Sequence, residues 1–170
     1  VWGTDVVTDA NSIVVLQANQ TLTLASGSAQ AYKLDLAAGA KVIVKDGTKL
    51  TLGKGGASFA NSGATKPQII VEQGGTLVVY GQMYGSEKEN LLVRASATKH
   101  GVLLFDPDMN TYGDNHPKGT FEFVSTKSFY KDATHYQWER FGIPTYTTLE
   151  SIECTTADLV TNIQIFENGE

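Results

Sequence analysis

The feature that most constrains this chain is a short repeated unit: Val, Ile or Leu at alternate positions, then a polar corner carrying Gly, Asp or Asn. The stretch "KVIVKDGTKLTLGKGG" (41–56) holds two such units around Asp46-Gly47, and "QIIVEQGGTLVVYG" (68–81) holds two more around Gly74-Gly75. The same shape occurs earlier in "VVLQANQTLTLASG" (14–27) and "KLDLAAGAKVIV" (33–44). Laid over one another, the first copy places Val14 on Val42 and Leu22 on Leu50. The second places Val42 on Ile69 and Leu50 on Leu77. Alternation of this kind is the mark of a strand with one buried face, and the Gly, Asp and Asn mark where it ends. Glycine at a corner admits the positive φ that a tight change of direction needs.

One strand and one corner cannot bury their own apolar side. Stacked copies can, which is why a fixed period of this size indicates a solenoid. The pattern predicts an all-β chain forming a parallel β-helix, or β-solenoid, with coils of about 27–28 residues and two or three strands per coil. Val14, Val42 and Ile69 are expected to form one interior column, and Leu22, Leu50 and Leu77 another. The competing reading is an antiparallel sandwich whose strands look alike. Side chains between the inward ones point outward, so Val15, Ile43 and Ile70 form an expected apolar outer stripe. A stripe of this kind implies a cover, either the C-terminal part of the chain or another molecule, which in a homo-oligomer would be a second copy. The alternative is the ordinary preference of strands for β-branched residues.

The repeat fades after about residue 105. Of the seven Phe, seven Tyr and two Trp, only Trp2, Tyr32, Phe59, Tyr80 and Tyr84 precede residue 100. The expected organisation is a solenoid over 1–105 and an irregular, aromatic-rich β segment over 106–170 that packs on or caps it. In that segment "TFEFV" and "NIQIFENGE" read as strands and "TTADLV" as one helical turn. The final Asn168-Gly169 is a turn signal without a returning strand, so the chain is expected to be a piece of a longer protein. The start, "VWGTDVVTDA", has no signal-peptide core, so a secreted form would have lost its signal upstream. A net charge of -5 disfavours nucleic acid and anionic membrane surfaces as main partners. No apolar run approaches the ~20 residues of a membrane span. Cys154 is the single cysteine and forms no intramolecular disulfide.

Two stretches carry candidate chemistry. In "DPDMNTYGDNHP" (106–117), Asp106, Asp108, Asn110 and Asp114 stand at positions 1, 3, 5 and 9 of a calcium-loop pattern. Alternating oxygen donors on a tight loop suit Ca²⁺. Thr111 and Pro117 stand where such loops place glycine and a bidentate glutamate, so an ordinary Asp/Asn/Gly/Pro turn competes with this reading. In "FYKDATHYQWERF" (129–141), Tyr130, Tyr136, Trp138 and Arg140 offer flat amphipathic faces for a sugar ligand. The same alternation fits a half-buried strand. No nucleophile elbow, zinc helix motif or phosphate-binding loop occurs. Asp46 and Glu72 are the one pair of carboxylates that stacking brings near each other, one position out of register, and glycoside hydrolysis needs a matched pair. The expectation is therefore no enzyme.

The units "VIVKDGTKLTL" and "IIVEQGGTLVV" resemble the "x-I-x-V-x-x-G-G-x-L-x-V" rungs of pectate-lyase-like parallel β-helix proteins. They look most like the non-catalytic, secreted or surface-anchored ones of Bacteroidetes-type bacteria. In those, a β segment with a "W-x-x-x-G-x-P" signature follows the rungs, and "WERFGIP" (138–144) is similar. The resemblance covers about residues 12–105 and carries over no catalytic residue. It implies an extracellular or cell-surface module, a rigid scaffold or an adhesin-like binding unit for glycan or a surface protein. The alternatives are a carbohydrate-active enzyme or its carbohydrate-binding part, and a self-associating fibre or phage-tail subunit.

Overall fold

The computed structural model describes residues 9–106, 118–124, 130–132 and 135–136. The chain divides into two compact units, Val1–Ser125 and Thr126–Glu170. In the first, the strands in chain order are β1 (Ile13–Leu16), β2 (Thr21–Leu24), β3 (Ser28–Leu36), β4 (Lys41–Val44), β5 (Lys49–Phe59), β6 (Gln68–Val71), β7 (Thr76–Val79), β8 (Met83–Tyr84), β9 (Leu91–Val93), β10 (Val102–Phe105) and β11 (Thr120–Phe121). Every pairing among them is parallel. They stack as a β-solenoid of about four turns.

Each turn visits three faces in the same order. The first face stacks β1, the second half of β3, the second half of β5, and β8. The second stacks β2, β4, β6, β9 and β11. The third stacks the first half of β3, the first half of β5, β7 and β10. β3 and β5 are long because each continues across a corner, their mutual pairing shifting register between Ala31 and Lys33.

The core follows from this register. On the second face Leu22, Val42, Ile69 and Leu91 stack in one inward column, and Leu24, Val44, Val71, Val93 and Phe121 in another. On the third, Ala29, Leu50, Leu77 and Leu103 align, as do Ala31, Leu52, Val79 and Phe105. Val42, Val44, Leu50, Leu52, Ile69, Val71, Leu77, Val79 and Leu91 have no solvent exposure at all. Burying each such side chain contributes roughly 1.5–3 kcal/mol. No single coil could supply this, since each column is sealed by the coils above and below.

The sequence-derived alignment holds in part. Val42 stacks on Ile69 and Leu50 on Leu77, so the second copy is a true coil. The first copy is not. Val14 pairs with Leu34, and Val42 stacks on Leu22. The first coil is therefore shorter, and the step from Val14 to Val42 is one short coil plus one strand unit. Every strand carries the same alternation, so an alignment can slide by a whole unit at no visible cost. Coils lengthen where corners do: between the first and second faces the corner spans residues 17–20 and 37–40 in the early coils, but 60–67 in the third.

The corners close by backbone geometry. Between the second and third faces, Lys45-Asp46-Gly47-Thr48 stacks on Glu72-Gln73-Gly74-Gly75, and the Gly47 N–H donates to the Gly74 carbonyl at 3.0 Å. Gly47 and Gly74 have φ of 71° and 83°, and a Cβ on Gly74 would run into the Asp46 carboxylate. In the second unit, β12 (Tyr130–Asp132) and β13 (His135–Tyr136) form an antiparallel pair. The stretches "TTADLV" and "NIQIFENGE" lie outside the described residues.

Candidate functional site

The three corners of the solenoid differ in chemistry. Between the first and second faces, Asn90 is fully buried at the entry to β9. Its amide donates to Asn61 Oδ1 at 2.8 Å and to the Pro67 carbonyl at 2.7 Å. Its oxygen accepts from the Glu87 N–H at 2.6 Å and from Asn61 Nδ2 at 3.0 Å. Every hydrogen-bonding position of this buried side chain is used, which offsets its desolvation. Lys66 closes the same corner, donating to the Asn61 carbonyl at 2.6 Å and pairing with Glu87 at 3.2 Å.

The corner between the second and third faces is ionic. One residue past the inward columns, Lys45, Glu72, Arg94 and Glu122 follow in register, with alternating sign. Arg94 and Glu122 pair at 3.2 Å, and the other Glu122 oxygen accepts from the Ala95 N–H at 3.1 Å. Beyond them Lys99, on the loop closed by an Ala95–His100 bridge, reaches past Gly74 to pair with Asp46 two coils away.

The corner between the third and first faces has neither device. Its column runs Tyr32, Gly53, Tyr80, Asp106, coil by coil. Tyr32 is 41% exposed and Tyr80 49%. Around the bend from Tyr80, Tyr84 is 50% exposed on the first face, in the outward column of Val15, Asp35 and Ser58. Between the tyrosines the surface is glycine. A Cβ on Gly55 would stand 2.8 Å from the Tyr32 ring and 2.8 Å from its carbonyl oxygen, so the bulge passes at Gly55 only without a side chain, while Lys54 beside it is exposed. Among the described residues, no hydrogen bond engages the hydroxyl of Tyr32, Tyr80 or Tyr84.

The residues singled out in the sequence fall as follows. Asp106 directly follows β10, and its N–H donates to the Val79 carbonyl at 3.0 Å. Asp108, Asn110 and Asp114 lie outside the described residues, as do Trp138 and Arg140. Tyr130 and Tyr136 are register partners across β12 and β13. Ile43 and Ile70 are neighbours in the outward column of the second face, with Thr23 before them and Leu92 after. Val15 is not in that column: it lies on the first face opposite Asp35 and is 57% exposed. The unit-length slide that misplaced Val14 misplaces Val15 with it. Asp46 stacks beside Gln73 rather than Glu72, and its carboxylate is taken by Lys99.

A shallow depression of about 330 Å³ on the first coil is lined by Val14, Val15, Leu16, Gln20, Thr21 and Leu22, none of them ionisable. Among the described residues, no group of three or more His, Cys, Asp or Glu is placed to hold a metal. No helix among them is long and apolar enough to cross a membrane. The tyrosine corner escaped the sequence reading because its members are separated by coils of different length. Gly53 to Tyr80 is one full coil, and Tyr32 to Gly53 is a shorter one. The visible signal is that Tyr32 and Tyr80 each directly follow an inward residue that ends the third face, Ala31 and Val79. No family model, no curated protein and no solved structure matches this chain.

Proposed function

We propose that this chain is a non-enzymatic, extracellular or cell-surface β-solenoid module. It acts as a rigid scaffold or adhesin-like unit that binds glycan or a surface protein. The observation that carries the reading is the division of labour among the corners. Two are cross-tied by amide and ionic contacts between coils, which stiffen the stack, and the third presents tyrosines to solvent. The described carboxylates support binding more than turnover: Asp46 is paired with Lys99, Asp35 with Lys33 at 2.8 Å, and Glu122 with Arg94. The likeness of the rungs to secreted, non-catalytic pectate-lyase-like β-helix proteins of Bacteroidetes-type bacteria points the same way, as fold analogy.

The test is proteinase K treatment of intact cells that produce the protein, with solenoid peptides followed by mass spectrometry. A surface module loses them while a cytoplasmic marker stays intact. Retention of solenoid peptides until the cells are lysed would overturn the extracellular assignment.

A second reading has its own observation. Ile43, Ile70 and Leu92 make a continuous aliphatic column on the second face, the kind of stripe a self-associating fibre would bury. Light scattering on the Ile43→Lys, Ile70→Lys double variant separates the two. A fibre subunit falls to a smaller mass, whereas a monomeric module is unchanged.

A further inference from the structure

We propose that the corner between the third and first faces is a binding edge for an uncharged polysaccharide, with Tyr32 and Tyr80 as two stacking platforms and Tyr84 beside the second. This rests on the reading of the chain as a binding module and names where it binds and what it binds.

Three observations carry it. The first is exposure with no hydroxyl committed, although one side of the Tyr32 ring rests against Gly55 of the next coil. Tyr32, Tyr80 and Tyr84 are 41%, 49% and 50% exposed, and none of their hydroxyls is hydrogen-bonded among the described residues. Tyrosine presents a large flat face at little conformational cost, which makes it a good contact residue for an amphipathic ligand. The second is spacing. Tyr32 and Tyr80 lie two coils apart with Gly53 between them, so their backbones are separated by roughly 10 Å along the coil axis. That is more than one sugar ring spans, so an extended chain with several rings can meet both platforms. Gly53, Gly55 and Gly81 put no side chain on the floor between them, where Lys54 is the exposed exception, and the coil packing enforces these glycines. A Cβ on Gly53 would sit 3.2 Å from the Tyr32 backbone, and one on Gly81 would collide with the Lys54 carbonyl.

The third is charge. Lys33 is paired with Asp35 on the adjoining face, Lys54 is exposed at the bulge, and Asp106 stands in the column after Tyr80. A polyanion would meet Asp35 and Asp106, a polycation Lys33 and Lys54, and neither finds a surface of one sign. Single-stranded nucleic acid also stacks on aromatics but requires a cationic groove, which a chain of net charge -5 does not offer here. A protein partner would require a wider apolar centre than a strip one residue across, bordered by glycine.

The test is affinity electrophoresis of the full chain in native gels. The gels contain hydroxyethylcellulose, galactomannan, arabinoxylan or dextran, with polygalacturonate as the charged comparison. The proteins are the parent, Tyr32→Ala, Tyr80→Ala, Tyr84→Ala, Tyr80→Trp, and the double variant Tyr130→Ala, Tyr136→Ala. Thermal unfolding of each confirms that the fold is kept. The expected result is retardation of the parent in at least one neutral gel. Tyr32→Ala and Tyr80→Ala each weaken it roughly tenfold, Tyr84→Ala weakens it less, and Tyr80→Trp preserves it. If the parent is retarded and the corner variants match it while the Tyr130, Tyr136 variant is released, the inference is overturned and the binding-module reading stands. Retardation by polygalacturonate alone overturns the uncharged ligand. No retardation in any gel overturns the edge as a glycan site, and leaves the scaffold reading to the cell-surface experiment.

Discussion

The corner between the second and third faces and the corner between the third and first are built from the same chain, one strand apart, and they do opposite things. The first is crossed by charge: Arg94 holds Glu122, Lys99 reaches two coils to Asp46, and Glu72 lies in register between Lys45 and Arg94. The second is crossed by backbone hydrogen bonds and by the Tyr32 ring against Gly55, with neither charge nor amide. Tyr32 donates from its N–H to the Ser12 carbonyl, Tyr80 from its N–H to the Leu52 carbonyl, and their side chains are about half exposed, the Tyr32 ring resting against Gly55. The inward columns already hold the coils together, so a corner is not obliged to contribute contacts. Where it contributes neither charge nor amide, exposed aromatics are left for the ligand proposed above. On the proposed reading, this solenoid separates stability from recognition by face and by edge.

This contrast can be broken in order of effect. The largest loss should come from beneath both corners. Leu77→Ala empties a fully buried site between Leu50 and Leu103. It should cost about 2–5 kcal/mol in denaturant unfolding. A loss under about 1 kcal/mol would mean that the columns do not carry the stability, and the division of labour would fail with them.

Next comes the amide corner. Asn90→Ala leaves the Pro67 carbonyl, the Glu87 N–H and the Asn61 amide without the partner they now share. A cost of about 1–3 kcal/mol is expected. Asn90→Asp should also destabilise, because a carboxylate cannot donate to the Pro67 carbonyl. If both variants unfold with the parent, that corner is not a tie between coils.

The smallest stability effect should be ionic. Lys99→Ala removes an exposed pair whose side chains are 54% and 56% accessible, so about 0–1 kcal/mol is expected, fading as salt is raised. Measured beside it, the tyrosine variants should move the unfolding midpoint no more than this. If Tyr80→Ala cost more than Lys99→Ala in stability, the supposedly open corner would be holding the coils, and the comparison would reverse.

How much of this was legible beforehand varies residue by residue. The alternation of Val42, Val44, Leu50 and Leu52 is enough to predict strands with one buried side. Its recurrence at Ile69, Val71, Leu77 and Val79 is enough to predict a solenoid. Both rest on local chemistry. The identity of partners was less legible. Val14 was expected over Val42 and is found opposite Leu34, and Val15 left the outer stripe with it. Lys99 and Asp46 are 53 residues apart, and no pattern links them. Tyr32 and Tyr80 share a column only because Ala31, Leu52 and Val79 pair in register just before the corner, across coils of unequal length.

The sequence by itself determined the element type, the inward side of each strand and the stacked architecture, because these follow from an alternating apolar pattern and from glycine at the corners. Only the tertiary structure decided the three-faced coil, the register of the first turn and which corner carries charge, amide or tyrosine. The physical reason is that every strand unit looks alike to its neighbours. Pairing is settled by the lengths of the corners and by backbone hydrogen bonds between coils. Neither is written in the apolar pattern.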